Sequence, residues 1–156
     1  MALRHIILYG NSILRWKADL VGVIDDGLRT LIEDMIETME DAEGIGLAAP
    51  QVGESISVCV VNNGLIEDGT EPQAYINPVI YEQSDSASSP MEEGCLSIPD
   101  IREDVIRPER IRVKYQDING IERDEFCDGM LARVLQHEVD HLNGVLFIDR
   151  ISSVKR

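Results

Sequence analysis

Apolar residues along the chain fall into two helical stripes and several short extended runs. Leu28, Leu31, Ile32, Met35, Ile36 and Met39 recur at the three-and-four spacing of one helical face, with Asp25 or Asp26 placed to cap the start and Gly44 beyond the end. The glycine-rich segment 44–51 that follows reads as a turn. Runs 56–61 and 74–81 are short and apolar and suit buried strands. A polar stretch with four serines, 82–90, then leads into Glu92-Glu93-Gly94-Cys95-Leu96-Ser97, a segment without helical period.

Between 110 and 116 the pattern alternates, with Ile111, Val113 and Tyr115 on one side and Arg112 and Lys114 on the other. Asn119-Gly120 is a hairpin turn signal, and 121–126 supplies the return strand, so this hairpin is expected to have one wet face. Asp128 can cap a second helix over 130–142, which Asn143-Gly144 stops. The order helix, strands, hairpin, helix, without internal repeat, predicts an α+β domain with largely antiparallel strands.

At 156 residues the chain has the length of one domain, and 44% hydrophobic with 28% charged residues excludes disordered, collagen-like and membrane classes. Acidic residues outnumber basic ones 29 to 14, and a net charge of −15 repels phosphate backbones and anionic lipid. Neither nucleic acid nor a membrane is expected as a direct partner. The acidic excess is spread over the chain, and only Lys17, Lys114 and Lys155 are lysines. That composition fits either a solubilising surface or adaptation to a high-salt cytoplasm. Cys59, Cys95 and Cys127 are odd in number and lack paired spacing, which argues for a reducing compartment. No stretch has signal or membrane length, so a cytoplasmic location is expected.

The chemistry is concentrated in His137-Glu138-Val139-Asp140-His141. Histidines four apart lie one turn above each other, so both imidazoles can grip one metal ion, and Glu138 can lean towards a water beside it as general base. A catalytic site of this kind needs a third protein ligand. No glutamate follows Glu138, and Phe147 occupies the place of the third histidine in the longer protease pattern. His5, in an apolar N-terminal stretch, reads as structural or exposed. Cys95 remains as the candidate, because Cys59 and Cys127 lie in strands where a thiol is usually a small buried hydrophobe. One sulfur and two nitrogens suit zinc or ferrous iron, and the sequence does not choose. A thiolate ligand leaves more of the oxyanion stabilisation to hydrogen-bond donors, for which Gln51 and the Leu96 N–H are candidates. Spacing alone reads Gln51 as a polar loop residue.

Three segments in order, Gly44-Ile45-Gly46-Leu47-Ala48-Ala49-Pro50-Gln51, Glu93-Gly94-Cys95-Leu96-Ser97 and Gln136-His137-Glu138-Val139-Asp140-His141, resemble the signature motifs of peptide deformylases. The likeness runs from the N-terminal region to Ile148. It implies a single catalytic domain over 1–156 without the long C-terminal helix of some bacterial relatives, in the deformylase α+β fold of antiparallel sheets around the motif helix. It implies removal of the N-formyl group from the initiator methionine of new proteins, with release of formate. By motif position, Cys95, His137 and His141 hold one divalent metal, ferrous iron in most of the family, with zinc, nickel or cobalt as substitutes. Glu138 then activates water, and Gln51 and the Leu96 N–H hold the oxyanion.

The resemblance also gives Ile45, Gly46 and Gly94 backbone roles towards a substrate lying as an added strand, and places Arg102 near the peptide. Met130 and Val134, with Ile45, are positioned to line a slot for the methionine side chain. Arg133 departs from the apolar residue many relatives carry one turn before the first histidine, and is expected either to snorkel to the rim, where it could meet acidic substrate residues, or to narrow the pocket. The expected partners are N-formylmethionyl peptides and nascent chains, with a monomeric enzyme and at most weak ribosome contact. Two other readings use the same helix. One is a metalloendopeptidase, and the other is a structural metal module, which would need four closing ligands.

Overall fold

The computed structural model describes residues 2–87 and 90–151. Ser88 and Ser89 of the polar stretch, and residues 152–156, on which the expected lack of a long C-terminal helix falls, lie outside the described residues. The first helix, α1, spans Asp26–Asp41, and the Asp25 carboxylate caps it by accepting from the Leu28 N–H at 2.9 Å. Strands follow as β1 (Gly46–Ala48), β2 (Val58–Val61), β3 (Gln73–Gln83), β4 (Met91–Cys95), β5 (Ile98–Val105), β6 (Arg110–Gln116) and β7 (Glu122–Asp128), and the second helix, α2, spans Gly129–Leu142.

Five strands form one antiparallel sheet in the order β1-β2-β3-β6-β7, and β4 pairs with β5 as a separate antiparallel hairpin. The large sheet lies between the two helices. Strand side chains alternate between faces, and they sort accordingly. Leu47, Val58, Val60, Ala74 and Ile76 pack with Leu28, Leu31, Ile32, Met35 and Met39 of α1. Ala48, Cys59, Val61, Tyr75, Ile111 and Val113 pack with Ala132, Val134, Leu135 and Leu142 of α2. Burial on both faces explains why β2 reads as an unbroken apolar run. A third cluster, Leu14, Ile98, Val105, Leu146 and Phe147, seats the small hairpin against the segment after α2.

The α+β architecture agrees with the sequence, and three local expectations are corrected. Segment 44–51 is not only a turn: it contains β1 and then one 3-10 turn, Ala49–Val52. Asp128 occupies the cap position of α2, but its side chain makes no capping hydrogen bond. The hairpin after Cys95 was not anticipated, because most of β5 is exposed and only Ile98 and Val105 are buried. The wet face of the β6-β7 hairpin is present, with Ile111, Val113 and Tyr115 buried opposite exposed Arg110 and Lys114.

Candidate active site

The fold brings α2 beside the turn between β4 and β5. Cys95 Sγ and the ring nitrogens of His137 and His141 lie within 4.8 Å of one another. Sγ stands 3.3 Å from His141 Nε2. Among the described residues this is the group of ligating side chains with metal-site spacing, and it has three members. His5 is exposed, and Cys59 and Cys127 are buried thiols outside the cluster.

Glu93 and Cys95 are two apart on β4, with a shift of register against β5 between them, and both reach α2, Glu93 at His137 and Cys95 at His141. The Glu93 carboxylate meets His137 Nδ1 at 3.1 Å, which leaves the other ring nitrogen for an ion. Arg107 grips both Glu93 oxygens, Nε to Oε2 at 2.7 Å and Nη2 to Oε1 at 2.9 Å, and also donates to Asp140 at 3.0 Å. Burial opposes ionisation of Glu93, but the bonds from His137 and Arg107 outweigh it and hold the carboxyl well below its usual range. Glu93 therefore stands as an anion behind the cluster.

Glu138 is buried, and its Oε1 has no hydrogen-bond partner among the described residues. Burial pushes this carboxyl up to about 7. Burial would depress His137, but Glu138, Cys95 and Glu93 outweigh it and raise the ring to about 10. His141 is pulled well below the usual value by burial, and the nearby positive charges of His137 and Arg107 act in the same direction. The pocket thus favours positive charge at His137, and an orphaned carboxylate oxygen beside a thiol and two imidazoles fits a divalent ion with one open position.

Gln51 is 2% exposed and rigidly placed. Its Oε1 accepts from the Ala48 N–H at 2.9 Å, which turns Nε2 to Ser97 Oγ at 3.0 Å and Cys95 Sγ at 3.5 Å. The N-terminal segment fastens both partners through Ile7 N–H to the Gln51 carbonyl and Tyr9 N–H to the Ser97 carbonyl, each at 2.7 Å.

A cleft of about 860 Å³ opens over the cluster, and Ile45, Gly46, Gln51, Gly94, Leu96, Arg102, Met130 and Val134 all line it. One of the two alternatives for Arg133 is excluded here. Arg133 does not snorkel to the rim. It is 7% exposed, and Nη1 donates to Glu93 Oε2 at 2.7 Å and to the Val105 carbonyl at 2.9 Å. Arg102 is exposed and donates from Nε to Glu92 at 2.6 Å, with its guanidinium lying over Gly94. Sequence reasoning missed Glu93, Arg107, Ser97 and Asp140. The two-residue spacing of Glu93 from Cys95 is the signal that could have found the first of them.

Residues 3–156 match the family model described as polypeptide deformylase. The chain is 48% identical over 160 residues to a peptide deformylase of Salinibacter ruber, covering 97% of this chain and 82% of that one. It is 44% identical over 156 residues to a peptide deformylase of Maricaulis maris, covering 100% and 89%. The fold is similar to the crystal structure of peptide deformylase from Thermotoga maritima, with TM-score 0.89 and 47% identity over 96% of this chain and 98% of that one. It is also similar to a peptide deformylase of Synechococcus elongatus in complex with actinonin, with TM-score 0.90 and 45% identity over 95% and 80%.

Proposed function

The chain belongs to the polypeptide deformylase family, and from that premise we propose how its own residues carry out deformylation. It is a metal-dependent hydrolase that removes the N-formyl group from nascent peptides. The family match supports this reading and not the metalloendopeptidase. The observation that carries the assignment of roles is the Cys95, His137 and His141 cluster at the base of an open cleft, with buried Glu138 beside it.

An ion held by Cys95, His137 and His141 supplies Lewis acidity, polarising the formyl oxygen and making a water easier to deprotonate. Fe2+ is the proposed native ion, and the same donor set accepts Zn2+, Ni2+ or Co2+. The Glu138 carboxylate takes the water proton and returns it to the departing amine as the formyl C–N bond breaks, leaving formate and a free amino terminus. A carboxyl raised towards neutrality by burial suits both transfers. Gln51 Nε2 and the Leu96 N–H hold the negative charge that develops on the formyl oxygen.

The substrate backbone lies as an added strand against Ile45, Gly46 and Gly94, and Ile45, Met130 and Val134 wall the methionine side chain. Arg102 borders the same path. The proposed substrates are N-formylmethionyl peptides and nascent chains, met in the cytoplasm by a monomeric enzyme built as one catalytic domain. A charge of −15 keeps any ribosome contact weak. No described helix is long and apolar enough to cross a membrane.

The test is product analysis on formyl-Met-Ala-Ser with the metal-loaded chain. Formate release with the Met-Ala bond intact supports the proposal. Cleavage of that bond without formate would support an endopeptidase instead.

A further inference from the structure

Arg133 and His137 stand one turn apart on α2 and share one partner, the Glu93 carboxylate of β4. Arg107 already holds both Glu93 oxygens, at 2.7 and 2.9 Å. Glu93 therefore has a complete bidentate seat without Arg133. What Arg133 adds is a second buried cation, 2.7 Å from Oε2, fixed in direction by its bond to the Val105 carbonyl.

Resting on the metal-site reading above, we propose that Arg133 is a positioning residue that loosens the hold of His137 on the ion by drawing negative charge away from Glu93. A carboxylate bonded to Nδ1 of a ligating histidine raises the basicity of the ring and strengthens its bond to a metal. A cation on the far oxygen opposes that donation. The same cation, buried near the cluster, also repels a divalent ion through a medium that screens poorly. Both effects have one sign: Arg133 weakens retention of the ion and leaves it a stronger Lewis acid. Among the described residues, the other charged groups around this contact include Arg107, Asp140, which accepts from Arg107 and Arg150, and buried Glu138 next to His137 in sequence.

Charge can be separated from shape at this position. Arg133→Met keeps the apolar stem and Arg133→Gln keeps a hydrogen-bond donor, and both remove the cation; Arg133→Lys retains it. The full chain and the three variants are titrated with Ni2+ against a competing chelator, with bound metal per chain counted and the visible spectrum of the Co2+-loaded forms recorded. Thermal unfolding identifies the folded variants, and either neutral variant suffices.

The expected result is one ion per chain throughout, a Kd for Ni2+ lower by roughly ten-fold in the neutral variants, a wild-type Kd in Arg133→Lys, and a shifted Co2+ spectrum only where the charge is lost. Neutral variants that bind one ion no more tightly than wild type overturn this inference and leave the site standing. A wild-type chain that binds no ion overturns the site and the inference together.

Discussion

Gly46 of β1 and Glu138 of α2 touch so closely that a Cβ at position 46 would stand 2.5 Å from Glu138 Oε2 and 3.0 Å from its Cδ. The proposed general base is thus seated on a backbone that carries no side chain, and the space it occupies is the space any other residue would fill. Gly46→Ala is expected to displace the Glu138 carboxylate while leaving Cys95, His137 and His141 in place. A displacement on the order of 1 Å costs about a hundred-fold in rate. Steady-state kinetics with metal content measured alongside checks this, and full activity in Gly46→Ala would contradict it.

Gln51 owes its direction to Ser97 and Ala48. In its proposed role its donor acts on charge that develops only in the transition state, so Gln51→Ala is expected to lower kcat by roughly 100- to 1000-fold, with KM little changed. Ser97→Ala, which removes the acceptor 3.0 Å from Nε2, shows the same pattern at smaller size. A change confined to KM in either variant would assign these residues to substrate binding instead.

Metal removal separates a catalytic ion from a clamp. Helices α1 and α2 are joined to the sheet by apolar clusters that contain none of the three proposed ligands. Chelation is therefore expected to abolish formate release while circular dichroism stays near that of the loaded form. Loss of secondary structure on chelation would favour the structural module.

Asp117 ties the turn of the β6-β7 hairpin, accepting from the Asn119 and Ile121 N–H groups at 2.9 and 3.0 Å and from Arg123 at 3.1 Å. Desolvation raises its pKa, but these bonds outweigh it and hold the carboxyl below its ordinary value. A carboxyl depressed in the folded state contributes stability that is complete above the unfolded pKa and is lost as pH falls through the folded one. Asp117→Asn is accordingly expected to unfold at lower denaturant than wild type at pH 7, with the gap closing below about pH 4. A gap independent of pH would locate the effect outside this carboxylate.

Legibility in the sequence followed exposure to one strong rule at a time. Leu28 through Met39 and the Ile111-Val113-Tyr115 alternation obey a single period, and α1 and β6 lie where that period places them. The His137 and His141 pair followed from helical spacing alone. Glu93, Arg107 and Arg133 did not, because charged residues in a strand, loop or helix read as solvated surface, and their burial depends on partners 14 and 40 residues away. Strand β5 was lost for a related reason: Asp100, Arg102 and Asp104 sit on an exposed two-stranded hairpin, where no core imposes an apolar stripe. The proposed oxyanion donor Gln51 is oriented by contacts to Ala48 and Ser97, the latter 46 residues away, a relation with no local signature.

Glu138 is proposed as the base of a deformylase whose metal is held by other residues. This role is tested most directly by formate release from formyl-Met-Ala-Ser, compared between metal-loaded wild type and Glu138→Ala with bound metal quantified in both. Formate is expected from the wild type, with a loss of several orders of magnitude in a variant that still carries one ion per chain. Formate released at the wild-type rate by metal-loaded Glu138→Ala would contradict it.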